Sequence, residues 1–258
     1  MNLFDLTGKV AIVTGASGGL GADAARAYAE AGADVAILAR RKDRLEELAQ
    51  ELITKFGHKV LAVQCDVTKE ESTKSAVEEV FQTFGHIDIL LNNAGVALRG
   101  TVESMSADEW QKAFDTNVMG IVNMSKYVLP HMKDKNYGKI VNTASVNAII
   151  ADKELALVRH SYNTTKAAVR GLTMAMAATY MQNGITVNSV GPGLFESEMT
   201  IDTLFKSETF LKMYNHNSPA GRPGSRGECN GAIIFLSSDA SSYITSQHII
   251  IDGGTSIV

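Results

Sequence analysis

Tyr162 and Lys166 stand four residues apart in the run Tyr162-Asn163-Thr164-Thr165-Lys166, a spacing that sets a phenol and an ammonium on one helix face. A free phenol titrates near ~10 and is a reluctant acid or base at neutral pH, whereas a neighbouring cation favours its phenolate. Lowering that pKa by about 3 units takes ~4 kcal/mol of differential interaction. A lysine cation supplies part of it, and such a phenol delivers a proton to the alkoxide that forms when a ketone is reduced. The same spacing also describes a ring packed on a lysine stem, so the pair must be weighed with its company.

A second candidate is the stretch Thr14-Gly15-Ala16-Ser17-Gly18-Gly19-Leu20-Gly21, which follows an apolar run and precedes a helical pattern. Glycines there permit a tight turn, close backbone approach to a pyrophosphate and close packing of helix on strand, with the helix N-terminus facing the phosphate charge. The spacing Gly15, Gly19, Gly21 departs from G-x-G-x-x-G, and no Gly-Lys-Ser/Thr follows, which excludes a P-loop. About twenty residues on, the next apolar run ends in Leu38-Ala39-Arg40-Arg41. That position carries an acid in many NAD-binding proteins and arginine in NADP-binding ones. Arg40, with Arg41 second, therefore points to NADP(H), although Asp43 lies close by and both arginines also fit the start of a solvated helix.

These residues need a scaffold, and the hydropathy pattern supplies one. Val10–Val13, Val35–Leu38, Val60–Val63, Ile87–Leu91, Ile140–Val141, Ile185–Val190 and Ile249–Ile251 read as strands buried on both faces. Helical patterns over Leu20–Ala31, Lys42–Phe56, Lys69–Phe84, Ala107–Met132, Ser161–Asn183 and Arg226–Ser238 fill the gaps, several closed by Gly32, Gly57, Gly85 or Gly184. The alternation predicts an α/β fold: a doubly wound parallel sheet with helices on both faces, in one domain over residues 1–258. The exception is Leu194–Pro219, rich in large apolar residues (Phe195, Met199, Leu204, Phe205, Phe210, Met213, Tyr214). It reads as a lid over the carboxyl edge of the sheet.

Composition narrows the function classes. With 45% hydrophobic and 20% charged residues the chain reads as an ordinary globular protein. Acidic residues outnumber basic ones, 28 to 24, for a net charge of −4, with no basic run to follow a phosphate backbone. Nucleic acid is thus not an expected partner. Cys65 and Cys229 form no metal motif or disulfide framework. The N-terminus carries no signal pattern and no apolar run approaches a bilayer span. The expectation is a full-length, cytoplasmic protein with no membrane contact.

On five motifs in order, the sequence resembles the short-chain dehydrogenase/reductase family along essentially its whole length. They are the glycine turn, Asn92-Asn93-Ala94-Gly95, Asn117, Ser145 with Tyr162 and Lys166, and Pro192-Gly193. The resemblance implies a Rossmann-type fold with Tyr162 as acid/base, Lys166 lowering its pKa while holding the nicotinamide ribose, Ser145 binding the substrate oxygen, and Asn117 supporting a water relay to Lys166. It further implies that Ser17, Gly18, Gly19 and Leu20 meet the cofactor. Asp66 and Val67 would flank the adenine, with Asn93, Ala94 and Gly95, Pro192, Gly193 and Phe195 alongside it and Ser197 near the carboxamide. Asp66 also fits a turn or N-cap acid.

Two departures stand out. Asp152–Arg159 lengthens the interval from Ser145 to Tyr162 beside the substrate mouth, and Gly18 stands where NADP-preferring relatives often carry a basic residue. The implied reaction is reversible hydride transfer between NADP(H), or NAD(H), and a secondary alcohol/ketone pair, against the rival of a non-catalytic dinucleotide sensor. The apolar lid favours a bulky hydroxysteroid or bile acid, and relatives with the same Glu-Met-Thr segment make a sugar acid such as gluconate, or a polyol, the alternative. A helix over Ser161–Asn183 that is apolar on more than one side, together with the resemblance, implies a homotetramer.

Overall fold

The computed structural model describes residues 3–155, 157–197, 200–201 and 204–258. Seven parallel strands form one sheet in the order β3-β2-β1-β4-β5-β6-β7, a Rossmann-type arrangement. They are β1 (Val10–Thr14), β2 (Asp34–Ala39), β3 (Val60–Gln64), β4 (Ile89–Asn92), β5 (Gly138–Thr143), β6 (Ile185–Pro192) and β7 (His248–Ile251). Every residue of β1 is buried, and the two-residue period splits them between two apolar layers. Ala11 and Val13 join the layer containing Tyr28, Leu45 and Leu236, while Val10 and Ile12 join the one containing Val77, Met124 and Val187.

Strand β1 pairs with both β2 and β4. The winding direction therefore reverses between β1 and β4, and open α/β sheets bind ligands in the crevice at the carboxyl edge beside such a reversal. Helices α1 (Gly19–Glu30), α2 (Lys42–Phe56) and α3 (Glu70–Phe84) return the chain between the first four strands. Left-handed Gly57 and Gly85 close α2 and α3, as their place after each pattern predicts.

The structure revises the expected elements at four places. The pattern over Ala107–Met132 is two helices, α4 (Ala107–Phe114) and α5 (Gly120–Lys135), joined by one π turn over Asp115–Met119. Strand β5 runs well past Ile140–Val141 because polar Asn142 and Thr143 stay in the ladder, Asn142 bonding Asn92 and Thr173. After α6 (His160–Tyr180), the segment following β6 holds a further helix, α7 (Glu208–Asn217), capped by the Ser207 hydroxyl. The last helix, α8 (Asn230–Ser237), starts later than expected, since Arg226 is drawn to Asp23 in two hydrogen bonds of 2.6 and 3.2 Å.

No helix among the described residues is long and apolar enough to cross a membrane. Nor do they contain a cluster of three potential metal ligands. Cys65 and Cys229 are buried free thiols.

Candidate active site

The crevice holds a cavity of about 850 Å³ that runs from the β1 and β2 ends to the segment after β6. Gly15 and Gly19 line it with φ of +66° and +53°, backbone that side-chain-bearing residues rarely adopt. A Cβ on Gly15 would come within 2.8 Å of the Ala94 Cα, and one on Gly19 within 3.2 Å of the Ser197 Cβ. Ser17, Gly18 and Leu20 complete this wall, so the first turn of α1 borders the cavity. Gly21 does not line it. A Cβ there would meet the Gly15 carbonyl oxygen and lie 2.5 Å from the Asn93 amide nitrogen, which makes Gly21 the close-packing position behind the turn.

Asn93 lines the cavity, but its amide nitrogen donates to the Thr14 carbonyl at 3.1 Å and the Gly15 carbonyl at 3.4 Å. The Thr14 hydroxyl in turn accepts from the backbone of Asn93 at 2.9 Å and Ala94 at 3.1 Å. These bonds pin the β1 and β4 loops together across the reversal point. The sequence places Thr14 at the head of the glycine stretch but assigns it no role, because it reads as an ordinary strand end.

Arg40 and Arg41 both line the far end, where the Arg41 guanidinium donates to the Ser17 hydroxyl at 2.9 Å. Asp66 and Val67 form the opposite side. The Asp66 carboxylate accepts from the Thr68 backbone and hydroxyl at 3.0 and 2.8 Å, the turn role that competes with ligand binding. Val67 is fixed through its carbonyl by Asn123, another residue the motifs did not single out. A cradle of glycines that any Cβ would crowd, a helix N-terminus, and guanidinium and hydroxyl donors beyond it fit a phosphorylated dinucleotide.

At the other end Ser145, Tyr162 and Lys166 come together, with Gly95, Pro192, Gly193, Phe195 and Ser197 lining the same cavity. Ser145 leaves β5 in extended backbone and its hydroxyl accepts from the Asn147 backbone at 3.1 Å. Tyr162 lies in the first turn of α6, and Lys166, one turn on, is buried with its Nζ 5.7 Å from the phenol ring centre.

Burial pushes the Tyr162 phenol above its ordinary value, opposed by a hydrogen bond with the Ser145 hydroxyl and by the Arg159 charge. Lys166 itself is depressed to about 8 by burial, and its ammonium donates to the Thr143 carbonyl at 2.7 Å.

Asn117 occupies the π turn and does not line the cavity. Its side chain is engaged on three sides: it accepts from the Val96 backbone at 2.8 Å and donates to the Val96 carbonyl at 2.9 Å and the Thr165 hydroxyl at 3.0 Å. Gly95 sits between the two groups, since a Cβ there would meet the Asn117 side-chain oxygen at 3.1 Å and the Lys166 Nζ at 3.4 Å.

A family model described as enoyl-(acyl carrier protein) reductase matches residues 15–256. A gluconate 5-dehydrogenase from Gluconobacter oxydans is 37% identical over 256 residues, covering 99% of this chain and 98% of its own. The chain belongs to the short-chain dehydrogenase/reductase family. A solved short-chain dehydrogenase/reductase from Mycobacterium marinum superposes with a TM-score of 0.92 at 38% identity, over 98% of both chains. A gluconate 5-dehydrogenase from Burkholderia cenocepacia, solved in complex with NADP and tartrate, superposes with a TM-score of 0.94 at 34% identity over 100% of this chain and 98% of its own. The family's members named here are oxidoreductases, and this chain is one.

Of the expected lid residues, Phe195, Leu204, Phe210, Met213 and Tyr214 line the cavity and Phe205 does not. Met199 lies outside the described residues. The added stretch before α6 contributes Asp152, Leu157 and Arg159 to the same wall.

Proposed function

We propose that this dehydrogenase/reductase interconverts a hydroxyl and a keto group on a sugar acid, using NADP(H). The observation that carries the reading is the joining of Ser145, Tyr162 and Lys166 to the glycine cradle in one cavity. The dinucleotide would be held by Gly15, Ser17, Gly18, Gly19 and Leu20 at its pyrophosphate, by Arg41 with Arg40 at the 2′-phosphate, and by Asp66 and Val67 beside the adenine. Bound NADP(H) supplies or accepts the hydride.

Ser145 and Tyr162 hold the substrate oxygen, and Tyr162 transfers the proton to or from it. A phenol raised by burial is protonated at neutral pH, which suits it to give its proton to a ketone. Lys166, depressed to about 8, exchanges protons near neutral pH and restores that proton. Because the Asn117 side chain is engaged by Val96 and Thr165, the expected relay follows the main chain of the π turn, where irregular helical pairing is common at functional sites.

The sugar-acid reading is supported by the gluconate 5-dehydrogenases among the relatives and by the tartrate held by one of them. Those names lend no support to a hydroxysteroid or bile acid, which the apolar lid alone had favoured. The test follows nicotinamide absorbance with gluconate and NADP+, beside ketosteroids and NADPH, with Tyr162→Phe as control. Turnover of gluconate that the variant loses is expected; turnover confined to the steroids overturns the reading.

For assembly, the reading is a homotetramer, supported by the family and by the exposed face of α6, which carries Ala167, Gly171, Ala175 and Ala178 beside Met174, itself 62% exposed. Light scattering that gives a monomer overturns it.

A further inference from the structure

Resting on the sugar-acid reading, we propose that Arg159 receives the carboxylate of the substrate and makes the cavity selective for hydroxy-acid anions over neutral polyols.

Arg159 closes the added stretch before α6 and lines the cavity beside Tyr162, its guanidinium carbon 5.4 Å from the ring centre. Four cationic side chains line that cavity among the described residues. Arg40 and Arg41 lie at the β2 end, and Lys166 is bound to the Thr143 carbonyl. Arg159 is therefore the cation at the substrate end, where much of the remaining wall is apolar Leu157, Leu204, Phe210 and Met213.

Its hydrogen bonding is incomplete. All of it passes through one nitrogen, Nη2, which donates to Asp152 at 3.1 Å and Asn147 at 3.4 Å. Nε is buried without a partner, and Nη1 makes no hydrogen bond among the described residues. A guanidinium carries five N–H donors in a planar fork suited to a carboxylate. Asp152 uses one arm of that fork and holds it in place, leaving Nη1 to a second anion. The side chain is 20% exposed, so such a contact is made largely out of water and counts for more than a surface ion pair. Its place against the Tyr162 ring puts the carboxylate a few carbon atoms from the carbon that reacts.

The test titrates gluconate into the NADP+-loaded protein and, as a neutral probe, L-sorbose into the NADPH-loaded protein, reading the thermal shift beside KM and kcat. In Arg159→Met the affinity for gluconate falls about 10- to 100-fold, the range of a lost charge-assisted hydrogen bond, while that for L-sorbose stays within about twofold. Arg159→Lys recovers part of the loss by keeping the charge without the fork. Equal weakening of both probes, or of neither, overturns the proposal. If Arg159→Met does not fold, Arg159→Gln carries the same comparison.

Wild type that oxidises gluconate with an affinity the variants leave unchanged overturns Arg159 alone. Arg159-dependent binding of gluconate without its oxidation overturns the proposed substrate alone. Failure of the wild type to bind gluconate removes both.

Discussion

The Lys166 ammonium lies 5.7 Å from the centre of the Tyr162 ring and donates to the Thr143 carbonyl, so the two groups share a face of α6 without sharing a proton directly. Two opposite shifts result from one cause. Burial disfavours the charged form of each, raising the phenol and lowering the ammonium.

The raised phenol sets the pH dependence of the two directions. Ketone reduction uses the protonated phenol, present at neutral pH and lost as pH rises; alcohol oxidation uses the phenolate and gains with pH. Rates measured in both directions from neutral to alkaline pH check this, and an oxidation rate that falls throughout contradicts it. Tyr162→Phe lowers kcat about 10²- to 10⁴-fold in both directions.

Lys166 costs stability. Its folded pKa of about 8 lies below the ordinary 10.5, so the unfolded chain binds that proton more tightly. The penalty is complete below pH 8 and fades between 8 and 10.5. Lys166→Met then stabilises the protein at neutral pH by about 1–3 kcal/mol, after loss of the Thr143 hydrogen bond, while abolishing activity. Thermal melts of both proteins across pH 7–11 should show the gap narrowing as pH rises; a variant less stable at pH 7 contradicts the account.

Arg41, the second choice by sequence, is fixed against Ser17 at the cavity wall. Arg41→Ala should raise KM for NADP(H) about 10- to 100-fold and leave KM for NAD(H) nearly unchanged. Arg40→Ala has the smaller effect. Equal changes for both nucleotides would remove the arginines from phosphate recognition.

Gly21→Ala places a methyl group against the Gly15 carbonyl and the Asn93 amide, so the β1 and β4 loops must part. The expected loss is about 1–3 kcal/mol of stability, with weaker dinucleotide binding, read by denaturant melts and cofactor titration. Unchanged stability would show that the loops yield freely.

Sequence alone determined the strand and helix alternation, because period-two burial and helical periodicity are local signals written by the core. Through the family resemblance it also suggested one site for Gly15, Gly19, Ser145, Tyr162 and Lys166, and all five line one cavity. What it left open depends on contacts between residues far apart in the chain. The π turn at Asn117 forms where Val96 and Thr165 claim its side chain. Gly21 looks like its neighbouring glycines until the Asn93 amide is seen behind it. Arg159 reads as part of an insertion, and only folding sets its guanidinium against Tyr162, with Asp152 holding one arm of the fork. Those partners are chosen by tertiary packing, which no local pattern encodes.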